Sequence, residues 1–131
     1  MTMARPLDLN PDRLFPSDPT TRAIARTLYA EIAALPIVSP HGHTDAGWFA
    51  DDTAWTDATA LLLAPDHYIF RMLYSQGIDL DALAIPRRSG TPATDPRAAW
   101  RLFAQNLHLF RGTPSRMWLD HVFAEVFGFE V

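Results

Sequence analysis

Cysteine is absent from the 131 residues, which removes disulfides and thiolate metal sites from consideration. Any metal bound here is held by His and carboxylate side chains. Basic residues are also scarce: 11 Lys and Arg stand against 15 Asp and Glu, for a formal net charge of -4. That balance runs against the cationic surface that nucleic-acid binding needs. No stretch approaches the roughly 18 apolar residues of a membrane-crossing helix. The opening, Met1 to Leu9, carries Arg5, Pro6 and Asp8 where a secretory signal needs an apolar core. A soluble, cytoplasmic protein is expected, with neither nucleic acid nor a membrane as partner. There is no Gly-rich phosphate loop, no Gly-x-Ser-x-Gly elbow, no internal repeat and no low-complexity tract.

What is present is the composition of a globular protein, 48% hydrophobic and 20% charged. The length suits one domain or a piece of a larger one. Three prolines (Pro6, Pro11 and Pro16) mark residues up to Ser17 as an extended arm. Asp18-Pro19 has the form of an N-cap followed by proline in the first helical turn. Ile24, Leu28, Ile32 and Leu35 then recur at helical spacing, predicting an amphipathic helix that stops before Pro36. Ile37-Val38, with proline on both sides, reads as a brief buried strand of the parallel-sheet type. A lone strand is not stable, so its partners would lie beyond Val131. The apolar, aromatic run from Val122 to Val131 points the same way, because natural C-termini more often fade into polar residues.

After His43 the pattern is loops and helices. Asp57 to Leu63 reads as a short apolar helix, and Asp66 as the cap of a helix through Tyr74 with Gly77 as its stop. Arg87 to Pro92 is a basic loop, with Arg87-Arg88 read as solvated. Asp95-Pro96 and Thr113-Pro114 repeat the cap-then-proline signature. The first of these helices puts Leu102, Phe103, Leu107 and Phe110 on one side and ends at Gly112. The second turns Trp118, Leu119, Val122, Phe123 and Val126 inward and ends near Gly128.

Two constellations carry chemistry. In His41-Gly42-His43, residues i and i+2 of an extended strand point to one face, so two imidazoles can converge on one ion. Neutral imidazole suits Zn, Mn and related divalent metals, and further ligands must come from elsewhere. A strand running into His-x-His is the layout of barrel metal sites, where chemistry sits at the C-terminal strand ends. The same two histidines also fit an incidental loop. The second constellation is Asp66-His67-Tyr68, with Arg71 one helical turn on. His and Tyr both transfer protons, and a Tyr hydroxyl hydrogen-bonds well to a sugar. The same three residues equally fit a helix start in which Asp66 only caps. His108 and His121 read as packing or surface residues, and Trp48, Trp55, Trp100 and Trp118 as core or loop anchors.

Taken together, His41-Gly42-His43 at the end of a helix-then-strand unit, then Asp66-His67-Tyr68 with Arg71 behind it, then the helical stretch from Trp118 to Phe127-Gly128, resemble the beginning of the uronate isomerases of the amidohydrolase superfamily. The match runs from Leu14-Phe15 to Gly128. His-x-His alone is shared across the superfamily; joined to Asp-His-Tyr at this distance it is specific.

The resemblance implies an α/β fold in which residues 1–43 form arm, helix and the first strand of a (β/α)8 barrel. Residues 44–131 would be a helical insert before the second strand. The piece itself is then mainly α-helical, since a barrel needs about 250 residues and only one of its strands is here.

It also implies isomerisation of D-glucuronate to D-fructuronate and of D-galacturonate to D-tagaturonate, in the catabolism of pectin-derived sugars. The small-molecule partner is the uronate. His41 and His43 would hold a divalent metal ion, zinc or manganese. His67 and Tyr68 would bind substrate, with Tyr68 catalytic. The remaining ligands and the arginines for the uronate carboxylate belong to later parts of the family sequence, so the 131 residues alone are expected to be inactive. A homo-oligomer is compatible with the full-length enzyme. The competing readings are a small helical interaction module, a truncated remnant without catalysis, and another amidohydrolase-type hydrolase that lacks the Asp-His-Tyr motif.

Overall fold

The computed structural model describes residues 5–86, 88 and 94–130, and these divide into two compact units. One takes the residues up to Gly42 together with Leu119 onward; the other is the continuous segment His43–Trp118. Among the described residues the secondary structure is helical, apart from a single antiparallel bridge between Pro6 and Glu130. The expected strand is not formed. Ile37 and Val38 are 93% and 90% exposed and make no ladder. A strand exists only by pairing, and none of the described residues pairs with these two.

In the first unit, α1 spans Pro19–Ile32. Its start is as the sequence predicts: Asp18 adopts an extended backbone, its Oδ1 accepts from the Thr21 N–H at 2.8 Å, and Pro19 occupies the first turn. The Asp18 carboxyl sits below its ordinary pKa, held there first by the Thr21 backbone N–H and then by the Thr21 hydroxyl. The helix ends at Ile32 rather than Leu35; Leu35 lies in a following turn in which its N–H donates to the Ile32 carbonyl. The apolar positions Ile24, Leu28 and Ile32 are all more than half exposed, so the amphipathic stripe exists but is uncovered.

The arm is less extended than its prolines suggest. It turns at 11–14, and Asp12 accepts from Arg26 Nε of α1 at 2.7 Å. Phe15 meets the edge of Tyr29, with the Arg26 guanidinium over its ring. Further along the arm, the Leu7 N–H donates to the Phe129 carbonyl at 2.8 Å. Phe129 in turn stacks flat on Phe123 with centroids 4.9 Å apart. Arm and C-terminal residues thus hold each other.

The second unit contains α2 (Ala46–Asp51), α3 (His67–Ser75) and α4 (Pro96–Gln105), with a π-type turn at Thr59–Leu63 and 3-10 turns at Leu80–Leu83 and Leu107–Phe110. Its interior is Leu62, Leu63, Ile69, Leu73, Leu83, Ala99, Phe103 and Phe110, all essentially excluded from solvent. α4 packs on the two turns Leu80–Leu83 and Thr59–Leu63, and α3 packs on the same pair. The buried Thr59 hydroxyl donates to the Pro96 carbonyl at 2.6 Å, tying the π-type turn to the start of α4 across 37 residues of sequence. The carbonyl of a residue in the first helical turn already serves the helix ladder, so the Thr59 hydroxyl adds a second bond to it and thereby satisfies its own buried donor.

The predicted helix after Asp95-Pro96 is interrupted. α4 ends at Gln105, Asn106 breaks it by donating its side-chain amide to the Leu102 carbonyl at 2.8 Å, and a 3-10 turn follows. Phe103 and Phe110 are buried as expected, while Leu102 and Leu107 are half-buried. A last helix, α5, spans Pro114–His121 and runs into a π-type turn at Val122–Val126. Of the five side chains expected inward there, Leu119 and Phe123 are buried and Val122 is half-buried. Trp118 and Val126 are exposed; for Val126 the change to π-type winding rotates the face that a single helical period assumes. His108 and His121 are both exposed. Of the Arg87-Arg88 loop, Arg87 and residues 89–93 lie outside the described residues; Arg88 is exposed. Among the described residues no helix is long and apolar enough to cross a membrane.

Candidate active site

The chemistry-bearing residues of the second unit gather where α3 begins. Asp66 has an extended backbone, and its Oδ1 accepts from the Tyr68 N–H at 2.8 Å. Its carbonyl accepts from Ile69 and Phe70, closing the first turn. Ile69 and Leu73 are fully buried, which fixes the rotation of α3. His67, Tyr68 and Arg71 consequently fall on the outer side, His67 half-buried, Tyr68 59% exposed and Arg71 exposed. Gly77 stops the segment at φ +87°, a left-handed conformation that suits glycine, and its N–H returns to the Tyr74 carbonyl.

His43 is brought to the same place from the start of the unit. Its ring lies 4.6 Å from that of His67 and is stacked on that of Tyr68, with centroids 5.2 Å apart and planes 19° apart. His67 and Tyr68 are themselves 4.4 Å apart. Three rings able to donate, accept or transfer a proton therefore form one cluster at a solvent-facing edge. Two depressions adjoin it. His43, Thr44, Trp48, Leu61, Asp66 and Trp118 help line one of about 130 Å³. His67, Tyr68, Arg71, Met72, Tyr74 and Ser75 line the other, of about 630 Å³. Trp48 is anchored by Trp55 in an edge-to-face contact at 4.5 Å. No acidic side chain lines the larger depression.

His41 is exposed; its carbonyl accepts from the Ser39 hydroxyl at 2.6 Å. The alternation expected to turn both imidazoles to one face has no strand behind it among the described residues. Two imidazoles are the right kind of donor for zinc or manganese but fall short of a full coordination sphere. Among the described residues no group of three or more His, Asp or Glu side chains is placed to hold a metal ion. The segment just after His43, which shares a depression with Asp66, is fixed by a cap that the pattern of loops and helices after His43 does not single out. Asp45 caps α2, its Oδ1 accepting from the Gly47 N–H at 2.8 Å, and so fixes the chain just after His43. The signal was there in an Asp two residues before Gly47, without the proline that marks the other caps.

The decisive observation comes from known proteins: a family profile described as glucuronate isomerase matches residues 19–131. The chain belongs to the glucuronate isomerase family. It is 64% identical over 129 residues to a uronate isomerase of Phenylobacterium zucineum, covering 98% of this chain and 27% of that protein. To a uronate isomerase of Caulobacter vibrioides it is 65% identical over 127 residues, covering 97% of this chain and 26% of the relative. The crystal structure of a glucuronate isomerase from Caulobacter crescentus superposes with a TM-score of 0.89 at 64% identity, over 96% of this chain and 26% of that one. The chain thus spans about a quarter of the length of the glucuronate isomerase relatives it matches. The resemblance carried by His41-Gly42-His43 and Asp66-His67-Tyr68 led to the same family, and the mainly helical character expected of the segment is what the structure has.

Proposed function

We propose that this chain is a segment of an enzyme that interconverts an aldehydo-uronate and its keto form, D-glucuronate with D-fructuronate and D-galacturonate with D-tagaturonate. The observation that carries the reading is the ring cluster of His43, His67 and Tyr68 at the start of α3, opening onto a depression large enough for a monosaccharide. Membership of the glucuronate isomerase family supports it. The metabolic, cytoplasmic setting expected from the sequence belongs to the same proposal, as does the first-strand role of residues up to 43 in a (β/α)8 barrel.

The reaction moves a carbonyl from C1 to C2. A proton leaves C2, one arrives at C1, and the hydroxyl proton at O2 is given up while O1 gains one, so substrate and product are isomers linked by an enediol. Tyr68 is assigned the oxygen-to-oxygen transfer: its hydroxyl both accepts and donates, and it reaches solvent-side substrate from the first turn of α3. His67, half-buried beside it, positions the sugar. His41 and His43 are the donors this segment contributes to a divalent ion, zinc or manganese, which when bound supplies Lewis-acid polarisation of the carbonyl. The remaining ligands belong to the longer protein, so the 131-residue chain by itself is inactive in this reading.

The test is Tyr68→Phe in a full-length uronate isomerase carrying this segment. Loss of one hydroxyl should lower kcat by about a hundredfold or more, the range of a removed acid–base group, with the helix content unchanged. Turnover equal to that of the parent enzyme sinks the role given to Tyr68.

A further inference from the structure

We infer that Trp48, clamped by Trp55, is a positioning residue that holds the His43 ring beside His67 and Tyr68; this rests on the site reading above and deepens it. His43 opens the second unit two residues before Asp45, the cap of α2. From the cap onward the backbone is fixed. Asp45 Oδ1 accepts from the Gly47 N–H, and the Asp45 carbonyl accepts from the Trp48 N–H at 3.1 Å. A helix of six residues has little stability of its own, and α2 buries none of its side chains. Its place is therefore set by the large side chain it turns toward the rest of the unit. Phe49 is 81% exposed and Trp48 36%, so that side chain is Trp48.

The chain reverses after α2 at Asp52, left-handed at φ 45°, and brings Trp55 edge to face against Trp48 at 4.5 Å. Two residues beyond Trp55, Asp57 accepts from the Ala60 N–H at 2.9 Å and leads into the turn that carries the buried Leu62 and Leu63. The indole pair thus ties α2 to the core of its own unit. Trp48 also lines the 130 Å³ depression together with His43 and Asp66, and Trp55 does not. That volume is below the roughly 300 Å³ at which ordinary small-molecule sites begin, so the depression packs around the imidazole and does not take a sugar. His43 is held by ring contact with His67 and Tyr68, and through its backbone by the stretch that Trp48 pins. A side chain that acts at a defined point needs such support, because its own torsions leave it free to turn away.

The experiment follows the nuclear Overhauser effect between the His43 and Tyr68 ring protons in the 131-residue chain at fixed pH. Trp48→Ala and Trp55→Ala should each weaken it severalfold, while Trp48→Phe, which keeps an aromatic partner for Trp55, should retain most of it. Trp55→Ala decides, since Trp55 stands outside the depression and acts on His43 through Trp48. Unshifted methyl signals of Ile69 and Leu73 show that the core is intact. Where Trp55→Ala does not fold, Trp55→Leu keeps the apolar bulk without the ring edge and takes its place. A merely structural pair would lower the unfolding midpoint and leave the ring-to-ring effect unchanged, which overturns the assignment. In a full-length uronate isomerase carrying this segment, Trp55→Ala should also weaken zinc or manganese binding about tenfold, the low end for a lost support behind a ligand, and Trp48→Phe should largely preserve it. Affinity equal to the parent's overturns the assignment if His43→Ala lowers it. If His43→Ala leaves it unchanged, the site reading has failed instead, and the ring-to-ring effect, which needs neither metal nor turnover, still decides Trp48.

Discussion

Asp66 shows how a single carboxylate sets the start of a helix. The carboxylate accepts the Tyr68 N–H, and so the residue whose hydroxyl is assigned proton transfer is the residue whose backbone the cap restrains. Capping and catalysis were open alternatives for the motif as a string of letters; in three dimensions Asp66 caps α3, and the role proposed for Tyr68 is compatible with that cap. The cap sets where α3 starts, the start sets which way His67 and Tyr68 face, and that facing stacks Tyr68 on His43. Asp66→Ala should therefore cost about 1 kcal/mol of stability, as for other lost N-caps, and Asp66→Asn much less. Denaturant unfolding followed by far-UV circular dichroism reads the first effect. An Ala variant as stable as the parent chain would mean that Ile69 and Leu73 alone fix the start of the helix.

At the scale of elements, the sequence was legible where a cap and a proline coincide. Asp18-Pro19, Asp95-Pro96 and Thr113-Pro114 each open a helix at the residue expected. Asp45 and Asp79 open α2 and the 3-10 turn at Leu80–Leu83 with the same carboxylate-to-N–H bond but without a following proline, and a short element has too few periodic positions to announce itself. The winding changes after Gln105 and after His121 were hidden for another reason: α, 3-10 and π turns share composition and differ in which residues share a face. Ile37-Val38 form no ladder among the described residues because β-branched composition describes a residue's preference, whereas a strand needs a partner, and the partners expected for this one were placed beyond Val131. In the site, the histidines and Tyr68 were legible as chemical types, and their stacking was not, because it depends on the rotation of α3.

The caps also predict an acid response at this scale. The Asp18 carboxyl is held below its ordinary value by the Thr21 N–H and hydroxyl, so the folded pKa lies under the unfolded one. Its contribution is therefore complete above the unfolded value, near 3.8, and is lost as pH falls from there through the lowered folded value. Asp57, held down by the Ala60 N–H and the Thr56 hydroxyl, acts in the same direction. Far-UV circular dichroism on descending pH should show helix loss in that acid window, and Asp18→Asn should remove part of the pH dependence while leaving the neutral spectrum unchanged. An Asn variant that titrates identically would mean that the cap bond does not form in solution.

At the scale of the molecule, the two units differ in how they are closed. The first joins residues up to Gly42 with Leu119 onward and leaves Ile24, Leu28, Ile32, Ile37 and Val38 largely exposed. The second, His43–Trp118, is one continuous stretch with its own buried set centred on Phe103 and Phe110, whose rings meet edge to face at 5.8 Å. A continuous segment with its own core meets the physical requirement for folding alone. Residues 43–118 produced as a separate polypeptide should then keep α3 and α4 and unfold in one cooperative transition. Phe103→Ala in that polypeptide removes a fully buried ring and should cost about 3–5 kcal/mol, against a total of roughly 5–15 kcal/mol for ordinary domains. The variant should thus unfold at much lower denaturant or fail to fold, while Arg71→Met, exposed on the outer side of α3, should unfold where the parent segment does. Gradual, non-cooperative unfolding of the parent segment would show that its core is insufficient by itself. A Phe103→Ala cost under about 1 kcal/mol would show that α4 is not seated on that core.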